Sequence, residues 1–214
     1  MAVQIIDQGR GNYIELSPWF ESHGKLKIRI TGDHNEIKIP EPLAQCGEAL
    51  IQLWSGCSVN IGRGVKLSDA HIVGHQNAHL TIGEKTTFTF QPRLLMHEPS
   101  RITIGADCMI AGNVQFMTSD MHTIFDLSSR ERINHARNIL VGDHVWIGQQ
   151  SYIMKGARIE HDAIIGVRSL VNGSIPAHCL AAGSPATVRR MNVGWDRELW
   201  QNAPEEIDSL LYFA

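Results

Sequence analysis

The 214-residue chain is 43% hydrophobic and 19% charged with a net charge of −3, which suits one globular domain with a real core and gives no electrostatic reason to bind nucleic acid. Its four cysteines (Cys46, Cys57, Cys108, Cys179) lie far apart without a CxxC pair, which argues against a disulfide scaffold or structural zinc and points to a reducing compartment, the cytoplasm. No long apolar run precedes Asp7 and no window holds about 18 consecutive apolar residues, so neither a signal peptide nor an integral membrane segment is expected.

Residues 1–34 read as a short, irregular N-terminal cap. From residue 35 the chain repeats itself. Five segments align: "EIKIPEPLA" (36–44), "VNIGRGVKL" (59–67), "LTIGEKTTF" (80–88), "ITIGADCMI" (102–110) and "ILVGDHVWI" (139–147). Their aliphatic markers Ile39, Ile61, Ile82, Ile104 and Val141 are separated by steps of 22, 21, 22 and 37. Beyond Val141 the step tightens to six, through Ile147, Ile153, Ile159, Ile165 and Val171, and the residue four further on is mostly small: Ser151, Ala157, Ala163, Ser169. A step of six fits neither an α-helix nor a simple hairpin meander. It fits a three-sided coil in which each side is a short strand and a turn, so that stacked coils bury a core no single coil could bury. The glycines after the markers (Gly62, Gly83, Gly105, Gly142, Gly148, Gly166) are expected to relieve backbone strain at the turns.

The 37-residue step exceeds one coil by about 15–19 residues, and the excess falls in 118–137, "TSDMHTIFDLSSRERINHAR", where the period is lost. A long irregular segment inside a compact repeat is usually functional. This one carries Asp120, His122, Asp126, Arg130, Arg132 and Asn134. Further on, Val145 and Ile147 alternate inward, so Trp146 should point out of the coil, where a large aromatic wants a partner.

Residues 139–190, and "TSDMH…ERINH…VGDHVWIG" in particular, resemble the hexapeptide-repeat acyltransferases, most of all the bacterial capsule O-acetyltransferases, including those acting on polysialic acid. The resemblance implies an all-β solenoid, a left-handed parallel β-helix over 35–190 with a protruding catalytic loop at 118–137, assembled as a homotrimer that binds acetyl-CoA between subunits. It implies transfer of an acetyl group to a saccharide hydroxyl without a metal. Such a hydroxyl needs a base, which a neutral imidazole supplies near pH 7. With 11 histidines, composition cannot choose among them. The resemblance selects His122, with Trp146 beside the reacting groups and Asp120, Asp126 or a backbone carbonyl left open as its orienting partner.

For the donor, the resemblance places Gln149, Val167 and Asn172 along the pantetheine path and Arg190 near the phosphates, in "GSPATVRR" (183–190). Thr187 stands where the family has an earlier basic residue, for which Arg189 or Arg168 would compensate. For the acceptor, Arg130, Arg132 and Asn134 are candidates to meet a carboxylate such as that of a sialic acid. N-acetylation of an amino-sugar nucleotide is the alternative with similar machinery. A zinc enzyme of the γ-carbonic-anhydrase kind needs three converging histidines, and "HIVGHQNAH" offers His71, His75 and His79, but steps of four scatter them around a coil. A solenoid that only mediates assembly is a third class. In 191–214, Pro204 and the apolar residues Trp195, Leu199, Trp200, Leu210 and Leu211 suggest a helical C-terminal tail that packs as a cap.

Overall fold

The computed structural model describes residues 3–200. Alternation along the strands decides what goes inside. In Glu48–Ser55, Ala49, Ile51 and Leu53 are buried while Glu48 and Trp54 stay exposed. Short strands of this kind form three eight-stranded sheets, which are the three faces of a parallel solenoid of about eight coils. The first face runs from Val3–Asp7 to Leu170–Val171, the second from Tyr13–Leu16 to Ser174–Ile175, and the third from Gln45–Cys46 to Ala186–Met191. Within these three sheets every described pairing is parallel except the last, where Cys179–Gly183 meets Ala186–Met191 antiparallel.

The six-residue steps carry the chain from face to face: Trp146–Ile147 lies on the third, Tyr152–Met154 on the first, Arg158–Ile159 on the second. The longer steps return to the same face. Ile61, Ile82, Ile104, Val141, Ile159 and Ile175 are successive register partners, all buried, in one column of the core. Ser151, Ala157, Ala163 and Ser169 fill the corners, as their size requires.

The marker glycines have another cause than the one expected. None of them has positive φ; that conformation falls instead on a corner residue such as Lys85, Asp107, Gln150 or Arg168. What excludes a side chain is the coil above. A Cβ on Gly83 would sit 2.5 Å from the Ala106 nitrogen, one on Gly142 2.7 Å from that of His161, and one on Gly148 2.6 Å from that of Val167. These positions need hydrogen because backbones stack there.

Both ends differ from expectation. The first coil starts within the segment read as a cap: Val3–Asp7 pairs in register with Lys25–Ile30, and Tyr13–Leu16 with Glu36–Ile39. Its third side is a 3₁₀ turn, Pro18–Glu21, which buries Phe20. At the other end no helix forms through residues 192–200. Two side chains bind this segment to the solenoid. The Trp195 indole stacks on His144 with centroids 4.2 Å apart and donates from Nε1 to the His144 carbonyl at 2.9 Å. Arg197 donates to the carboxylate and carbonyl of Asp107, at 3.0 and 3.1 Å, and to the Cys108 carbonyl at 3.0 Å. Pro204, Leu210 and Leu211 lie outside the described residues.

Candidate functional site

The connection from the first face to the second takes residues 97–99 in one coil and 155–157 in another, but 118–138 between Gln115–Met117 and Ile139–Val141. Inside it, Phe125 and Arg132 form an antiparallel bridge around a turn whose amides, Ser128 and Ser129, donate to Asp126 at 2.8 Å. His122 is exposed on this connection.

Its backbone is held from below by a polar network. Asn134, 7% exposed, donates from Nδ2 to the His122 carbonyl at 2.7 Å and to Asp120 at 2.9 Å, and its Oδ1 accepts from the Ile124 amide at 2.8 Å. Lys155, from the coil above, binds the Asp120 carboxylate and donates to the Asn134 carbonyl at 3.1 Å. Glu98, from the coil below, takes two parallel bonds from Arg132 at 2.7 Å and one from the Ser119 hydroxyl.

These contacts bear on three expectations. Arg132 has its bidentate carboxylate within the chain, and Asn134 is a buried strut rather than a free ligand. Arg130 alone of the three expected acceptor residues makes no side-chain hydrogen bond among the described residues. Neither Asp120 nor Asp126 is hydrogen-bonded to the His122 ring: Asp120 belongs to Lys155 and Asn134, and Asp126 to its own turn. Glu98 and Lys155 were missed because they lie 34 and 35 residues from their partners, with no local signal.

Both carboxylates are displaced in the same direction. Arg132 first, then Ser119, holds Glu98 below its ordinary value of 4.5, and Lys155 first, then Asn134, holds Asp120 below 3.8. A group whose folded pKa is depressed contributes stability that is present above its unfolded value and lost as pH falls through the folded one. We therefore expect the amides of Met121 and Ile124 to lose hydrogen-exchange protection as pH falls below about 4, before the core strands do. Exchange corrected for intrinsic rates measures it, and protection that stayed constant would show that the two pairs do not hold the segment.

Trp146 points outward from the third face as expected, 37% exposed, with the Trp195 ring 6.1 Å away. The corner between the third and first faces carries Gln149, Val167 and Arg168, whose Nε donates to Gln150 at 2.8 Å. Beside it is an open groove of about 580 Å³, lined by Asn113, Gln115, Gln150, Tyr152, Arg168, Ser169, Leu170 and Ser184. Arg189 and Arg190 follow on the antiparallel strand, Arg189 donating to the Ala182 carbonyl at 3.2 Å. Asn172 does not join them, because it lies past Leu170–Val171 at the next corner, between first and second faces. His122 is likewise on the connection between the first and second faces, whereas Trp146 is on the third.

The histidines of the zinc alternative do not converge. His71 bonds Gln52 and His75 stacks on Trp54, both on the first face, while His79 bonds Ser58 on the second. Among the described residues, His161, Asp162 and His178 come within 4.8 Å of one another, but Asp162 already accepts from His144 and His161, both at 2.7 Å. The four cysteines are free and buried, and burial pushes Cys46 and Cys108 up to about 11, so they are poor nucleophiles.

A three-sided parallel solenoid broken by one long, histidine-bearing connection is the architecture that the sequence's resemblance to the hexapeptide-repeat acyltransferases implies. Comparison with known proteins agrees, although no family model matches the chain. The polysialic acid O-acetyltransferase of Neisseria meningitidis is 34% identical over 150 residues, 70% of this chain and 69% of that protein. The enzyme of the same name from Escherichia coli O1:K1 is 36% identical over 126 residues, 59% of this chain but only 41% of the longer relative. The crystal structure of a polysialic-acid-specific acetyltransferase superposes with a TM-score of 0.87 at 30% identity, covering 97% of this chain and 87% of that one. The chain belongs to the polysialic acid O-acetyltransferase family.

Proposed function

We propose that the protein transfers an acetyl group from acetyl-CoA to a hydroxyl of a bacterial surface saccharide, within a ternary complex. The observation that carries this reading is the connection 118–138, which a buried Asn134 clamps by the carbonyl of His122, leaving the imidazole exposed. In the reaction the His122 ring takes the hydroxyl proton, the hydroxyl oxygen bonds to the thioester carbon, the carbon–sulfur bond breaks, and the proton passes to the departing thiolate. Trp146 lies beside the reacting carbonyl. Gln149, Val167, Arg168, Arg189 and Arg190 receive the donor, with the groove at the third-to-first corner as its path and the arginines meeting its phosphates. No metal enters the mechanism.

The site is shared between copies of a homotrimer of left-handed coils. Within one chain Trp146 and the connection bearing His122 belong to different sides of the prism, and one copy's connection reaching a neighbour's third face would bring the two residues together. The four unpaired thiols fit a reducing, cytoplasmic setting. The test is mass spectrometry of a panel of bacterial glycans incubated with purified protein and acetyl-CoA. We expect ester-linked acetyl groups. Acetylation of amino groups only, or of none of the panel, would overturn the reading.

A further inference from the structure

A row of rings climbs the edge of the first face toward the connection that bears His122. Trp54, next to last in its strand, lies between the register pairs Leu53–Gly74 and Ser55–Gln76, which sets it beside His75. Met96 pairs with Gly74, so His97, the next residue, takes the following rung, and Ser119 takes the one after, since Leu95 pairs with Met117. Trp54 and His75 are stacked, with centroids 4.0 Å apart and planes 13° apart, and His75 and His97 are 4.5 Å apart. Neighbouring strands are separated by about 4.8 Å, so three rungs span about 14 Å from Trp54 to the foot of the connection. His122 is three residues beyond Ser119.

Two features of this row are left unused by the contacts among the described residues. Trp54 leaves 39% of its surface exposed at the lower end. His97 Nδ1 is buried without a hydrogen-bond partner among the described residues. A buried N–H without an acceptor is costly, so the proton belongs on Nε2, and the ring offers Nε2–H as its donor. Burial also pushes the pKa values of both histidines down, which keeps the rings uncharged near neutrality. An uncharged aromatic face with one unused donor suits a pyranose ring, which presents C–H groups on its face and hydroxyls on its rim.

We propose that Trp54, His75 and His97 form a subsite for sugar units of a polymeric saccharide acceptor, remote from the unit whose hydroxyl is acetylated at His122. It rests on the acetyl-transfer reading for its substrate class and adds chain length as a determinant. A single sugar at His122 cannot reach Trp54, whereas a chain laid along the edge reaches both.

The test compares wild type, Trp54→Ala and Trp54→Phe on a single sugar and on chains of increasing length from the same bacterial polysaccharide. Calorimetric binding without acetyl-CoA and steady-state transfer are both measured. For long chains we expect Trp54→Ala to raise Kd and KM about tenfold, equivalent to about 1.4 kcal/mol, with kcat unchanged. Trp54→Phe should restore most of the loss, and the single sugar should show no change. Length-dependent binding that needs Trp54 but brings no transfer would keep the subsite and reject the acetyl-transfer reading. Transfer whose KM is the same for wild type and Trp54→Ala at every length would reject the subsite and keep the reaction. Loss of assembly in Trp54→Ala would also overturn the subsite, because Trp54 would then face a second copy.

Discussion

His122→Ala is expected to lower kcat for acetyl transfer by about 10²–10⁴-fold, the range a positioned general base contributes, while the far-ultraviolet spectrum, melting temperature and oligomeric state stay those of wild type. The structural half of this expectation comes from exposure: the imidazole makes no hydrogen bond among the described residues, and what the chain grips is the His122 carbonyl, which alanine keeps. The catalytic half comes from chemistry, since a neutral hydroxyl attacks a thioester poorly unless its proton has somewhere to go. A variant with near-wild-type turnover would remove His122 from the mechanism.

The same substitution tests whether the site is shared. Co-refolding inactive His122→Ala with an inactive Trp146 variant would create interfaces where an intact histidine from one copy meets an intact tryptophan from the next. Random assortment in a cyclic trimer gives about one such interface in four, so about a quarter of wild-type activity should return. No recovery would place both residues in a single-chain site.

The sequence exposed the solenoid because each coil repeats one inward aliphatic, and those markers proved to be one column through Ile61, Ile82, Ile104 and Val141. It also located the long connection, since 37 residues cannot be one coil. What stayed hidden depends on contacts between coils. Gly83 looks like a turn glycine locally, yet what restricts it is the backbone of residues 105 and 106. The apolar pattern around Trp195 looks helical in isolation, but Trp195 and Arg197 find carbonyls 51 and 89 residues away and the segment lies along the solenoid instead. The first coil was unreadable because a 3₁₀ turn replaces one of its sides. Arg132 is the most instructive case. Its chemistry, a fork that suits a carboxylate, was legible, but which carboxylate was not: it is Glu98.

Under the proposed mechanism that assignment makes Asn134, Arg132 and Glu98 positioning residues, and their substitutions should separate kcat from KM. Asn134→Ala removes the donors to Asp120 and to the His122 carbonyl and the acceptor for the Ile124 amide. A shift of about 1 Å in a reacting group costs up to about 10²-fold, so kcat should fall by 10–10²-fold while the KM for acceptor changes little. Glu98→Ala should reproduce much of this loss from outside the connection, because it frees Arg132 and Ser119 together. The double variant Glu98→Ala/Arg132→Ala should be little worse than either single change, since each breaks the same pair and partners in direct contact couple strongly. If Arg132 instead held a carboxylate of the acceptor, Arg132→Ala would raise KM for an anionic saccharide and not for a neutral one. Glu98→Ala, by releasing the guanidinium, would then lower it. The sign of the Glu98→Ala effect on KM therefore decides whether this arginine serves the substrate or the scaffold beneath His122.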